Sequence, residues 1–309
     1  MIISASRRTD IPAFYSEWFY NRIKEGFVYV RNPMFYHQVS RVALTPDVID
    51  GIVFWTKNAQ PMLPRLNEIS SFNYYFQFTI NPYNQKLEKV VPRKTGVIDG
   101  FRKLSDQIGP ERVIWRYDPI FFTDDIDLEY HLESFDSIAQ RLSTYTNVCM
   151  LGFLHMYKKT ERNMAGTTAR PLNKDELLDI SGKLKQIANS YNIAVESCSE
   201  RVDLVALGIK QGKCIDNELI EKIAGYSIST HIDRNQRPVC RCIESIDIGE
   251  YDTCPHDCLY CYANSNKQAV VEKYKIHNPN SPLIIGQLTE KDIIKERKIV
   301  SLRRNDLFT

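Results

Sequence analysis

Long apolar runs are missing from this chain of 309 residues: no stretch approaches the roughly 18–20 apolar residues that a membrane-crossing helix requires, which excludes a helical membrane protein. A strong charge of either sign is missing too. The formal net charge is +2, so a surface built to coat nucleic acid is not expected, although a local basic site stays open. There is no low-complexity segment and no fixed-period repeat, which sets aside solenoids and arrays. The first residues, Met1-Ile2-Ile3-Ser4-Ala5-Ser6-Arg7-Arg8, lack the basic-then-apolar layout of a secretory leader. The expected compartment is therefore a reducing cytoplasm, where disulfides are not expected. What the chain does have is ordinary globular composition, 43% hydrophobic and 25% charged, enough to bury a full core.

Short runs rich in β-branched and aromatic residues recur between helical patterns, at Ile2–Ala5, Phe27–Val30, Ile52–Trp55, Tyr74–Phe78, Val113–Trp115, Met150–Leu154 and Ile193–Val195. Apolar on both faces, they read as buried parallel strands. Ser227–Ile232 is the candidate for an eighth. Asp10 caps a helix with Pro12 in its first turn and Gly26 beyond its end. Further helical patterns cover about 98–107, 128–142, 174–190 and, more briefly, 201–207. This alternation predicts an α/β fold, a TIM-like (β/α) barrel that is complete or nearly so, over residues 1–235. Residues 236–309 are expected to form a cysteine-rich, metal-binding extension packed on the barrel mouth, ending in an amphipathic helix over Thr289–Leu302.

A barrel gathers the C-terminal ends of its strands on one face, and the residues that follow each run are polar. They include Arg7, Arg8 and Asp10 after the first run, Arg31 after the second, Lys57 after the third, Arg116 and Asp118 after the fifth, His155 after the sixth and Glu196 after the seventh. The guanidinium groups suit carboxylate or phosphate, which predicts a small polar or anionic ligand. Asp10, Asp118 and Glu196 would fix those bases or bind ligand hydroxyls, and His155 has the pKa range of a proton-transfer group. The segment Met156–Leu172 reads as a mobile loop that either covers the mouth or extends into solvent.

Cysteine is unevenly placed, with seven of the eight residues at or beyond Cys198. Cys254, Cys258 and Cys261 stand in a CxxxCxxC run, a soft-ligand set suited to iron–sulfur clusters or zinc. Three thiolates on a [4Fe-4S] cube leave one iron open. With Tyr260 directly before the third cysteine, the run resembles the cluster loop of radical S-adenosylmethionine enzymes. That resemblance implies that the open iron binds S-adenosylmethionine, that a 5′-deoxyadenosyl radical is formed, and that an electron donor such as flavodoxin or ferredoxin takes part, with Tyr260, Arg7 and Arg116 near the cofactor. In that superfamily the loop follows the first strand, whereas here it begins at residue 254, so the cluster would approach the barrel from the C-terminal side. Cys198, Cys214, Cys240 and Cys242 could hold a second [4Fe-4S] cluster or a zinc, or be ordinary buried residues. Cys149 is expected in the core.

Over essentially its full length the chain resembles the bacterial family named domain of unknown function 1848. The signatures are Ser4–Ala13, Val53-Phe54-Trp55-Thr56-Lys57-Asn58, Trp115-Arg116-Tyr117-Asp118-Pro119-Ile120 and the Tyr251–Asn264 run. The resemblance implies a shared barrel with cysteine-bound metal and no particular activity. Two rival readings stand beside the radical enzyme. One is a non-catalytic zinc or iron–sulfur protein, closed by Cys240, Cys242 or His256. The other is an iron–sulfur protein that processes nucleic acid, which would show a basic surface leading to the mouth.

Overall fold

Strands apolar on both sides are stable only between two covering layers, and the chain supplies one layer of helices outside and one layer of side chains within. The computed structural model describes residues 1–304. Its strands are β1 (Ile2–Ala5), β2 (Phe27–Arg31), β3 (Gln38–Ala43), β4 (Gly51–Thr56), β5 (Tyr74–Thr79), β6 (Val113–Ile120), β7 (Val148–Phe153), β8 (Ala194–Ser197), β9 (Lys210–Gln211), β10 (Ile246–Asp247) and β11 (Ile293–Glu296). The helices are α1 (Ile11–Phe14), α2 (Ser16–Glu25), α3 (Lys94–Ile108), α4 (Leu128–Leu142), α5 (Lys158–Met164), α6 (Lys174–Ser190), α7 (Asn217–Ala224) and α8 (Lys267–Lys275). None of them is long and apolar enough to cross a membrane.

Eight strands make one sheet in the order β10-β1-β4-β5-β6-β7-β8-β9, and every neighbouring pair is parallel. Along each strand alternate residues serve different layers. Ile3, Phe54, Phe76, Trp115 and Leu151 pack outward in the main core with the helices. Ile2, Val53, Tyr75, Ile114 and Met150 converge in a second cluster with Ile215 and Ile243. The sheet therefore curls around an inner layer, as a barrel does. Its hydrogen-bonded ladder does not close, however: among the described residues β9 and β10 are edges that do not pair with each other.

Several expectations need correction. The run Phe27–Val30 is not part of the large sheet. It lies in β2, which pairs antiparallel with β3 across the Asn32-Pro33 turn, in a separate sheet of order β11-β3-β2. Ser227–Ile232 forms only isolated bridges, from Ile228 to Arg303 and from Ile232 to Ile243. Its expected place beside β1 is taken by β10, whose two residues are too short to register as a periodic pattern. The predicted tail helix is instead strand β11, paired parallel with β3, where the β-branched Ile293 and Ile294 favour extended backbone. Over 201–207 only the single turn Val205–Leu207 forms. No cysteine-rich extension is evident as a separate body, because the C-terminal segment is threaded into both sheets. The Asp10 cap and the left-handed Gly26 stop are both present, but the single helix expected between them is two, α1 and α2, broken at Tyr15.

Trp115, fully buried on the outer face of β6, stacks on Phe135 of α4 with ring centroids 4.6 Å apart. Phe135→Ala should cost about 3–5 kcal/mol through lost burial and the cavity left behind, read as a lower urea midpoint at unchanged slope. A cost below about 1 kcal/mol would show that this ring does not hold α4 on the sheet.

Candidate active site

The C-terminal ends of the strands open on one cavity of about 380 Å³. Ser6 to Asp10 reach it from β1, Lys57 from β4, Arg116 and Asp118 from β6, His155 from beyond β7 and Cys198 from beyond β8. The CxxxCxxC loop lies across the same space, with Cys254, Cys258, Cys261 and Tyr260 in the wall. Cys214, Cys240 and Cys242 also line it, so every cysteine except Cys149 meets at this opening, and Cys149 is fully buried in the core. Two expected residues stand elsewhere. Glu196 does not line the cavity: its carboxylate packs where a side chain on Gly212 would clash, and burial with nearby Asp216 pushes its pKa up. Arg31 pairs with Asp292 at 2.6 Å in the small sheet's neighbourhood.

A residue that sequence reading missed fixes the cysteine loop. Glu88, in the segment before α3, is 1% exposed and accepts hydrogen bonds from Lys57 Nζ at 2.8 Å, from Lys94 Nζ and from the Tyr260 hydroxyl. Its backbone forms an antiparallel bridge with Cys258, and Leu259 N–H donates to the Leu87 carbonyl at 2.9 Å. Burial alone would raise the Glu88 pKa, but Lys57 and Lys94 outweigh it and hold the group down at about 2. Tyr260 receives a further hydrogen bond from Asn81 Nδ2 at 3.2 Å, and the same amide binds the Asp118 carbonyl at 2.7 Å. The tyrosine before the third cysteine is thus a structural clasp between loop and sheet. No short motif surrounds Glu88, which explains why the sequence did not reveal it.

Asp10 provides the second clasp. One carboxylate oxygen caps α1 through Ala13 N–H at 3.0 Å, and the other accepts from Lys57 N–H at 2.7 Å and from His256 Nε2 at 2.8 Å. His256 is therefore committed to the first strand end through that nitrogen. The loop also needs two residues in left-handed backbone, and both are aspartates: Asp252 at φ 59° and Asp257 at φ 53°. Aspartate tolerates that region better than most residues. Asp247 of β10 holds the first strand end in place, accepting from Ser4 Oγ at 2.7 Å and from Arg7 N–H at 2.9 Å.

Met156–Leu172 is not a free loop. It carries α5, bridges Phe122 through Arg170, and ties to the cysteine loop through Asn163 Nδ2 and the Asn264 carbonyl at 3.3 Å. Tyr157 and Thr160 of this segment line the cavity.

The lining is cationic. Arg7, Arg8, Lys57, Arg116 and Arg237 face only two carboxylates, Asp10 and Asp118. Lys57 is matched by Glu88 and Arg116 by Asp118, but Arg7 and Arg8 reach no carboxylate closer than 3.9 Å and 4.0 Å among the described residues. Four buried polar atoms of the lining have no hydrogen-bond partner among those residues: Thr9 Oγ1, His155 Nε2, Thr160 Oγ1 and His256 Nδ1. Unpaired buried groups of this kind are uncommon in protein interiors. His155 lies 3.9 Å from Glu200, and burial followed by Arg237 lowers its pKa, which keeps the ring neutral at pH 7.

Burial raises the pKa of all three loop thiols, with Lys57 partly opposing the rise at Cys258. Left alone they stay protonated, and a metal would have to displace those protons. Among the described residues no group of three or more His, Cys, Asp or Glu side chains is arranged as the ligands of a single metal ion.

Glu88→Gln should destabilise the fold by about 3–5 kcal/mol at pH 7, because two buried ammonium groups lose their counter-charge. The sign follows from the depressed pKa: the stabilisation is present above the ordinary carboxylate value of 4.5 and is lost as the pH falls toward 2. The gap in unfolding free energy between wild type and variant should close over that window. A gap that stays constant down to pH 2 would contradict the network.

Comparison with curated proteins finds no match. Among solved structures, a candidate alpha-L-fucosidase from Bacteroides thetaiotaomicron VPI-5482 is similar at 12% identity, over 75% of this chain and 85% of that chain, with a TM-score of 0.27. That level of likeness assigns nothing here. A family profile described as Domain of unknown function (DUF1848) matches residues 2–263, a span that takes in every strand end and cysteine of the cavity, and the chain belongs to that family.

Proposed function

We propose that the protein is a (β/α)-barrel iron–sulfur enzyme of the radical S-adenosylmethionine type, acting on a small polar or anionic substrate. The observation that carries this reading is the placement of Cys254, Cys258 and Cys261 in the wall of the cavity where the polar strand ends meet. Those three thiols would hold a [4Fe-4S] cluster with one iron free of protein. Bound there with S-adenosylmethionine, the cluster supplies radical chemistry that no side chain can supply. A volume of about 380 Å³ falls within the range of about 300–1,000 Å³ usual for small-molecule sites.

The chain's own residues have separable tasks. Arg7 and Arg8, without close carboxylates, are available to hold a ligand carboxylate or phosphate. Arg116 is oriented by Asp118 and by Gln77 Oε1 at 3.3 Å, and Asp118 is in turn set by its backbone hydrogen bond to Asn81 Oδ1 at 2.9 Å. Tyr157 and Thr160 of the α5 segment keep water from one side of the cavity. Lys57 lies beside Cys258 and partly opposes the burial that keeps its thiol protonated, which would ease loss of that proton to a cluster.

A closed zinc site on the three cysteines and His256 is the second reading, favoured by the unpaired Nδ1 of that ring. Against it, Nε2 is already engaged by Asp10.

Protein purified without oxygen should contain iron and acid-labile sulfide, and with reductant and S-adenosylmethionine it should release 5′-deoxyadenosine. Cys258→Ser should lower that release at least tenfold and reduce the iron content. Zinc without sulfide would overturn the cluster and favour the closed site, and iron and sulfide without cleavage under several reductants would overturn the radical assignment. Arg7→Ala with iron content unchanged should raise the KM for S-adenosylmethionine or for substrate more than it lowers kcat. An unchanged KM for both would remove Arg7 from ligand binding.

A further inference from the structure

The seam of the large sheet lies between its unpaired edges, β9 and β10, and four cysteines meet there. They arrive on three separate pieces of chain: Cys198 just beyond β8, Cys214 just beyond β9, and Cys240 with Cys242 on the segment leading to β10. Cys198 Sγ and Cys214 Sγ are 3.1 Å apart. Ile215 N–H, next to Cys214, donates to Cys242 Sγ at 3.5 Å, and Cys240 and Cys242 line the same cavity as the other two. Arg116 Nη1 donates to Cys214 Sγ at 2.9 Å from within the inner layer of the sheet.

We infer that Cys198, Cys214, Cys240 and Cys242 form a second metal centre, a closed four-thiolate site for a thiophilic metal, which fastens the seam of the sheet. Four thiolates complete the coordination of a structural zinc or of an iron–sulfur cluster and leave no position open, unlike the three-cysteine loop. Tetrahedral zinc with bonds of about 2.3 Å sets its sulfurs about 3.8 Å apart, so the Cys198 and Cys214 sulfurs would separate by less than about 1 Å, and because the four side chains do not already stand as the ligands of one ion, Cys240 and Cys242 would also have to draw in. The seam is otherwise held by few bonds. Ile243 N–H donates to the Ile215 carbonyl at 3.2 Å, Gln211 Nε2 to the Val239 carbonyl, and Arg241 Nε to Gln211 Oε1 at 3.3 Å. A centre joining β8, β9 and the 240–242 segment does the work of the missing ladder between β9 and β10. The positive charge of Arg116 is matched by the thiolates it faces. The inference does not depend on the chemistry of the three-cysteine loop.

The test uses full-length protein purified without oxygen. A variant with Cys254, Cys258 and Cys261 all changed to Ser should retain one bound metal centre per chain, and Co(II) exchanged into it should show thiolate-to-cobalt charge-transfer absorption. A variant with Cys240→Ser and Cys242→Ser should lose that complement and keep the metal of the loop. Zinc alone in the first variant identifies a single-ion site, and iron with sulfide identifies a second cluster. Either result supports the centre and distinguishes its kind. A first variant with no metal, or a second variant with the full wild-type complement, would overturn it. Wild-type protein gives an independent check should either variant fail to fold. Alkylation of the four cysteines, mapped by mass spectrometry, should accelerate at least tenfold once a chelator has removed the metal. Equal rates with and without chelator would also overturn the inference.

Discussion

One buried carboxylate decides where the cysteine loop sits. Glu88 is surrounded by two ammonium groups and a phenol, and its own backbone bridges Cys258. An ionised carboxylate in that position is stable only because Lys57 and Lys94 are there, and the lysines are stable only because it is. The reciprocal requirement fixes the loop, the end of β4 and the start of α3 relative to each other. Asp10 repeats the device on a smaller scale by serving α1, Lys57 and His256 with two oxygens. With both clasps closed, the three loop cysteines are held in the wall of the cavity.

The electrostatics of that cavity follow from the same arrangement. Five basic side chains and two carboxylates line a space in which most of the cysteines are still neutral thiols. On the proposed reading, a metal held by the cysteines would replace thiol protons with coordination and set anionic sulfur in the cavity that Arg7 and Arg8 line. The cationic strand ends and the cysteine-rich loop are therefore two halves of one charge balance. On the same reading an anionic or zwitterionic ligand would complete it at Arg7 and Arg8.

Much of this was legible in the sequence, for identifiable reasons. The long buried strands announced themselves because both faces are apolar, and Asp10 and Gly26 marked a helix start and stop by chemistry that few other residues share. Strand ends predicted to converge do converge, at Arg7, Arg8, Lys57, Arg116, Asp118 and His155. Phe27–Val30 has the composition of a barrel strand, and only its pairing with β3 reveals a separate hairpin. β9 and β10 have two residues each, below the length at which any period can be read. β11 looked helical because its charges are frequent and its two isoleucines few. Glu88 and Asp247 could not be found by motif, since each acts through partners distant in sequence. Glu196 follows a strand as the others do, but its alternation points it at Gly212 and away from the opening.

The central claim is that the loop presents three sulfurs and one open coordination position to the cavity. Electron paramagnetic resonance of the reconstituted, reduced protein tests it most directly. The account predicts the signal of a reduced [4Fe-4S] cluster that changes shape when S-adenosylmethionine is added, with that responsive signal lost in Cys258→Ser. A cluster signal indifferent to S-adenosylmethionine, or one that survives the substitution unchanged, would contradict it.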